Sequence, residues 1–192
     1  MVFVGSAHRI PKTRDLPMKI IIKVGDVLSE PADLLISTAN PWLNLSGGVN
    51  GAIRETVGPD LQTELHELLK QQGMSALPAG TVVRSNAYTL PFKHILHAVA
   101  IDPFYDSSTD IVRATFARAL DMALELQALT VSSPTLATGY GPMSISDFGS
   151  AVAPVLKKSS LENLTLSLVV RREDHAIELQ EALCKACLMV TR

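Results

Sequence analysis

The chain has 192 residues, enough for one domain with a sizeable core and too few for two of ordinary size. Hydrophobic residues make up 47% of it and charged residues 19%, a balance that excludes wholesale disorder. With 17 basic and 19 acidic side chains the formal charge is −2, so no global field draws the chain to nucleic acid or to an anionic membrane. Any anionic ligand has to be held by local donors.

The only cysteines are Cys184 and Cys187, too few for a disulfide framework and consistent with a reducing compartment, so a cytoplasmic location is expected. Their CxxC spacing has no second pair and falls at a helix end, which argues against a zinc or redox centre. Residues 1–17 (MVFVGSAHRIPKTRDLP) form a polar, proline-punctuated lead, and no stretch approaches the roughly 18 apolar residues of a membrane span. The expected organisation is this lead followed by one domain over residues 18–190.

In chain order, 19–23 (KIIIK) and 34–37 (LLIS) read as short buried strands. Gly25-Asp26-Val27 follows the first, and residues 29–33 read as a helical turn or loop. Val49, Ile53 and Val57 predict a helix over 48–57, and Leu61, Leu65, Leu68 and Leu69 a second over 60–71, the two split by Gly58-Pro59. Strands follow at 81–85 and 94–100. The clearest amphipathic helix is 110–127, with Val112, Phe116, Ala119, Ala123 and Leu126 on one stripe. A buried strand over 129–136, a helix over 145–157, a strand over 164–170 and a helix over 175–187 complete the pattern. Such alternation favours a mostly parallel sheet covered on both faces by helices.

In that class of fold, ligands bind beyond the carboxyl ends of the strands, where loops enter helix N-termini. Three segments qualify. Residues 40–51 (NPWLNLSGGVNG) pass from a strand into a helix through Gly47-Gly48, where a side chain would block close approach of a ligand. Residues 137–143 (ATGYGPM) do the same through Gly139 and Gly141. Asp26 offers a carboxylate just past a strand. Taken singly, each glycine-rich loop also suits a simple turn.

Together, and in this order, the three segments resemble the macro domain family, over about residues 19–183. The residues that carry the resemblance are Gly25-Asp26-Val27, Ser37-Thr38-Ala39-Asn40, Ser46-Gly47-Gly48-Val49-Asn50-Gly51 and Pro134-Thr135-Leu136-Ala137-Thr138-Gly139-Tyr140-Gly141, with 77–81 (LPAGT) and 95–99 (ILHAV) also similar. The resemblance implies a three-layer α/β/α fold around a mixed, mostly parallel sheet of about six strands. It implies ADP-ribose as ligand, or ADP-ribosylated protein as partner, with no cofactor, no metal, no membrane and no nucleic acid.

By the same resemblance Asp26 accepts from the adenine amino group beside a backbone contact at Val27. Gly47, Gly48 and Val49 clasp the diphosphate from one side, and Ala137, Thr138, Gly139, Tyr140 and Gly141 from the other. Asn40 reaches the distal ribose, and Asn40 and Asn50 are the candidate catalytic residues. The implied activity is hydrolysis of ADP-ribosylated protein, O-acetyl-ADP-ribose or ADP-ribose 1″-phosphate. The alternatives are a non-catalytic ADP-ribose reader, or a macro fold that binds another nucleotide or nucleic acid.

Three positions depart from the family pattern. Ser37 stands where the family has its first asparagine, and Asn50 where the hydrolases commonly carry an aspartate; an amide cannot act as a general base near neutral pH. Arg171 stands where several members have an adenine-stacking aromatic, and its guanidinium either stacks on a base or points to solvent beside Arg172. Tyr140 and Trp42 either flank the ribose or pack their own loops. His94 and His97, three apart in a strand, point to opposite faces and cannot share a metal. Asp102, Tyr105 and Asp106 lie in the loop after a strand, near the sheet edge of the proposed site, and either line it or form a solvated loop, the latter favoured.

Overall fold

The computed structural model of the protein describes residues 18–186 and 188–191. The lead over 1–17 and Cys187 of the cysteine pair lie outside the described residues. The strands are β1 (Lys19–Val24), β2 (Leu34–Ala39), β3 (Val82–Asn86), β4 (His94–Val99), β5 (Thr130–Ser133), β6 (Thr165–Val170) and β7 (Val190–Thr191). The helices are α1 (Gly48–Val57), α2 (Asp60–Gln71), α3 (Thr109–Glu125), α4 (Ile145–Leu156) and α5 (Glu173–Lys185), and a short 3-10 turn spans Val27–Ser29.

The strands form one sheet in the order β3-β4-β2-β5-β6-β1-β7, parallel throughout except that β3 runs antiparallel to β4. The sheet therefore has seven strands rather than about six. The additional strand is the two-residue β7, whose Val190 and Thr191 pair with Ile20 and Ile21. A second difference concerns the apolar run over 129–136, of which only 130–133 is strand. Leu129 is exposed, and Pro134, which lacks an N–H to give to a sheet ladder, opens the next loop.

Alternation along the central strands feeds two cores. Leu34 and Ile36 of β2, Leu96 and Ala98 of β4 and Leu166 and Leu168 of β6 pack on one face against α3, α4 and α5, where Phe116 and Phe148 meet edge to face at 5.6 Å. Leu35, Ile95, Val99 and Val169 point the other way, against Ile53 of α1 and Leu61 and Leu65 of α2. Because both faces are covered, the central strands are apolar almost continuously, as a parallel sheet requires.

The edge at which β2, β4 and β5 begin is tied by one residue. Asp33 Oδ2 accepts from the backbone N–H of Leu129 (2.8 Å) and Thr130 (3.0 Å), and Oδ1 pairs with Lys93 Nζ at 2.7 Å. That leaves the opposite, carboxyl edge of the sheet for the loops. None of the described helices is long and apolar enough to cross a membrane.

Candidate functional site

A cavity of about 540 Å3 lies along the carboxyl edge of the sheet. Every central strand delivers lining residues as it ends: Ala98, Ala100 and Ile101 from β4, Thr38 to Asn40 from β2, Pro134 and Thr135 from β5, Val169 to Arg171 from β6, and Gly25 and Val27 after β1. Strand order sets the order of these groups across the cavity. Tyr105, in the loop after β4, marks one end; Arg171 and His175 mark the other, beside β1.

Both glycine loops line this cavity, with Gly47, Gly48 and Val49 from the first and Ala137, Thr138, Gly139, Tyr140 and Gly141 from the second. Gly47 and Gly48 have φ of 63° and 52°, the left-handed region where a side chain is disfavoured. The space above Gly47 is also filled: a Cβ there would lie 2.5 Å from the Tyr140 hydroxyl. The exposed Tyr140 ring thus rests on the first loop and bridges the two. At Gly141 a Cβ would stand 2.6 Å from the Ala137 carbonyl oxygen, so the second loop folds back on itself too tightly for any side chain.

These loops present donors. Helix α1 begins at Gly47 with no side-chain cap, whereas α3 is capped by Ser108 and α4 by a reciprocal Ser144–Asp147 box. The first N–H groups of an α-helix have no partner within it, so those of Gly48, Val49 and Asn50 remain open at the cavity wall. In the second loop the N–H groups of Thr138, Gly139, Tyr140 and Gly141 have no backbone partner among the described residues. The loop is braced instead through Met143 N–H donating to the Ala137 carbonyl at 3.1 Å and through the Thr135 and Thr138 hydroxyls, 2.7 Å apart. Uncapped amides on a scaffold of near-zero charge favour a diffuse anion such as a diphosphate.

Asn40 and Asn50 are both buried and both line the cavity. Asn40 clasps its own loop, its Nδ2 donating to the Asn44 carbonyl (2.8 Å) and its Oδ1 accepting from the Asn44 N–H (3.0 Å). One N–H of the amide is left over. Asn50 Oδ1 accepts from the Ser37 hydroxyl at 2.9 Å, with Ser37 fully buried beneath it. No carboxylate is among the described residues that line the cavity.

Asp26 itself does not line the cavity, although Gly25 and Val27 on either side of it do. Its Oδ1 caps the 3-10 turn by accepting from Leu28 N–H (3.1 Å) and meets Arg171 Nη2 at 3.3 Å. This ion pair brings together two residues 145 apart in sequence and sits at the cavity rim. Arg171 is therefore neither stray nor simply solvated. Of the two readings of Trp42, the one at the ribose does not hold: it lines a separate shallow depression with His66, Lys70 and Met74, away from the glycine loops.

Ile101 and His175 line the cavity and were not singled out for it by sequence, and of Asp102, Tyr105 and Asp106 only Tyr105 lines it. Tyr105 reads as part of a solvated loop from its polar neighbours; the only signal to the contrary is that it follows a strand on the carboxyl edge. His97 is buried, with Nε2 2.8 Å from the Ser85 hydroxyl, and burial holds its pKa down at about 3. Among the described residues no group of His, Cys, Asp and Glu is placed to hold a metal ion.

This is a cleft at the carboxyl edge of a mixed, mostly parallel α/β/α sheet, lined by two glycine loops with open amides, and comparison with known proteins defines the class. The macro domain family model matches residues 36–151, and the chain belongs to the macro domain family. A macro domain-containing protein of Listeria monocytogenes is 33% identical over 129 residues, 65% of this chain and 71% of that protein. A macro domain-containing protein of Methanosarcina mazei is 29% identical over 175 residues, 87% and 89% of the two chains. An uncharacterized protein of Thermoplasma acidophilum is 32% identical over 127 residues, and the match spans 64% of either chain.

Among solved structures, an Oceanobacillus iheyensis macrodomain variant with ADPR superposes with a TM-score of 0.79 at 22% identity, covering 91% of this chain and 97% of that one. A Trypanosoma brucei macrodomain in complex with ADP-ribose gives 0.70 at 21% identity, covering 85% and 68%. At these identities the superpositions show the fold.

Proposed function

We propose that this macro domain binds ADP-ribose, or a group that contains it, with the diphosphate between the two glycine loops. The observation that carries this reading is the single cavity lined by both loops, into which an uncapped helix N-terminus and a run of unpartnered loop amides open. Solved macrodomains of the same fold hold ADPR and ADP-ribose. The adenine lies at the Asp26–Arg171 rim, where Asp26 Oδ2 accepts from the exocyclic amine and Arg171 lies beside the base. The distal ribose then lies toward Asn40, Asn50 and Tyr105.

The chemistry this end supports is hydrolysis at the distal ribose by a water that Asn40 and Asn50 orient and the bound diphosphate assists. ADP-ribosylated protein, O-acetyl-ADP-ribose and ADP-ribose 1″-phosphate are the substrates to test. A second reading, binding without turnover, is favoured by one observation: Asn50 supplies an amide where a general base would stand, and no carboxylate lines the cavity among the described residues. Calorimetry with ADP-ribose and with AMP tests the shared part. Saturable binding that clearly prefers ADP-ribose supports it, and no heat with either ligand rejects it. Release of ADP-ribose from a modified protein then separates hydrolase from reader.

A further inference from the structure

The loop after β4 carries a feature that binding of free ADP-ribose does not use. Phe104 is 85% exposed and does not line the cavity, whereas its chain neighbour Tyr105 does. A phenyl ring left in water costs free energy that burial would recover. Yet the backbone that holds it there is heavily braced. Asp102 Oδ1 accepts from the N–H groups of Phe104 (2.8 Å) and Asp106 (2.9 Å), and Asp102 N–H donates to the Asp106 carbonyl at 2.9 Å. Tyr105 N–H donates to the Asp102 carbonyl at 3.0 Å, with Tyr105 in the left-handed region at φ 66°. The Ser107 hydroxyl donates to the Ala100 carbonyl at 2.6 Å, and Ser108 caps α3. The turn is thus fixed in a shape that turns Tyr105 toward the cavity and Phe104 away from it.

The electrostatics of this turn have one sign. Between Lys93 and Arg113 the sequence has no lysine or arginine, while Asp102, Asp106 and Asp110 fall within it. Asp110 is paired with Arg113, and Asp102 is occupied by the backbone, which leaves the exposed Asp106 carboxylate in the same turn as the phenyl ring, two residues along the chain. An aromatic face and a carboxylate in one turn suit an ammonium or guanidinium group with an aliphatic stem. Its position fits as well: with the adenine at the Asp26–Arg171 rim, the far end of the ligand and whatever is attached there emerge past Tyr105.

We propose that the Phe104–Asp106 turn is the contact surface for a basic polypeptide segment that carries the ADP-ribosyl group. This rests on the ADP-ribose reading above and adds the chemistry of the partner. Lysine or arginine side chains flanking the modified residue lie on the Phe104 ring and pair with Asp106, while the ADP-ribosyl group fills the cavity.

The test uses the full chain, wild type and Phe104→Ala, in calorimetry against free ADP-ribose and two mono-ADP-ribosylated peptides, one with lysines flanking the modified residue and one with glutamates. Wild type is expected to bind the lysine peptide more tightly than the glutamate peptide by about fivefold or more. Phe104→Ala is expected to abolish that preference and to leave the affinity for free ADP-ribose unchanged. Equal affinity of wild type for the two peptides, or an intact preference in Phe104→Ala, overturns the proposal while the ADP-ribose reading stands. Loss of free ADP-ribose binding in Phe104→Ala overturns it too, by making Phe104 part of the cleft. Failure of wild type to bind free ADP-ribose removes both.

Discussion

The hydroxyl of Ser37 donates to Asn50 Oδ1 across 2.9 Å in the buried floor of the cavity, so two positions at which this chain departs from the family pattern are partners in one hydrogen bond. The pair is self-consistent. A serine can donate to the amide oxygen from beneath, and the Asn50 Nδ2 then remains for the cavity that the residue lines. Neither change is an isolated loss.

Asn50→Asp follows as the most informative substitution. The Ser37 hydroxyl can donate equally to a carboxylate, so the fold should persist, and a base would now stand against the distal end of the ligand. Release of ADP-ribose from a modified protein should rise on the order of 100-fold over wild type, while binding changes little. An unchanged rate would place the chemistry elsewhere in the cleft.

Gly48→Glu tests the diphosphate assignment. Gly48 lies at the start of α1 with φ 52°, and a carboxylate there would both strain the backbone and repel phosphate. Calorimetry should find ADP-ribose affinity reduced by at least about 100-fold, with a cooperative thermal transition retained. A variant that still binds normally would displace the diphosphate from this loop. Gly141→Ala is the paired control for the second loop, where the clash with the Ala137 carbonyl must be relieved by moving the loop itself.

The rim pair allows a test of base recognition. Asp26→Ala removes the proposed adenine acceptor and also the partner of Arg171, and should weaken ADP-ribose binding by on the order of 1–3 kcal/mol. Arg171→Ala should weaken it as well, and the double variant should lose less than the sum of the two, since each residue positions the other. Additive losses would mean that the two act separately.

Much of this site is written in local sequence. Helix α1 was readable to its ends because Gly47-Gly48 and Gly58-Pro59 bracket residues at helical spacing, and the two glycine loops were readable because they follow apolar runs. What failed depended on contacts distant in sequence or on very short elements. Strand β7 has two residues and pairs only through β1. The apolar character of residues 134–136 continues the pattern of β5 although Pro134 ends it. Trp42 stands next to a conspicuous loop, yet the chain turns it toward α2. The Arg171–Asp26 and Ser37–Asn50 pairs carry no local signal, because the first exists only once β1 lies beside β6 and the second only once α1 packs on β2.

Acid sensitivity should set in above the range in which carboxylates titrate. His97 is buried with no partner for Nδ1, and its pKa is held down at about 3, against about 6.5 in the unfolded chain. A depressed basic group takes its proton only in the unfolded state across this interval, so stability is lost as pH falls from about 6.5 toward 3, by roughly 1 kcal/mol per pH unit. Urea midpoints measured from pH 7 to 4.5 should fall accordingly, and His97→Asn should flatten the slope whatever it does to the absolute stability. A slope that survives the substitution would assign the effect to another group.

Asp33 acts at lower pH, over an interval that overlaps the end of that of His97. Hydrogen bonding from Lys93 comes first among the causes that hold its pKa at about 2, against the opposing effect of burial, with the Leu129 and Thr130 amides adding to it. The folded state therefore favours the ionised form, and the stabilisation is complete above about pH 4 and lost as pH falls through 4 toward 2. Asp33→Asn should cost on the order of 2 kcal/mol at neutral pH, because an amide cannot serve both Lys93 and the two backbone donors as an anion does. The carboxylate ties strand starts at the edge of the sheet opposite the cavity, so ADP-ribose affinity should not change in the folded variant. Thermal unfolding and calorimetry on the same preparation decide the matter: lost affinity with unchanged stability would mean that this edge is coupled to the site, and that Asp33 is more than a structural tie.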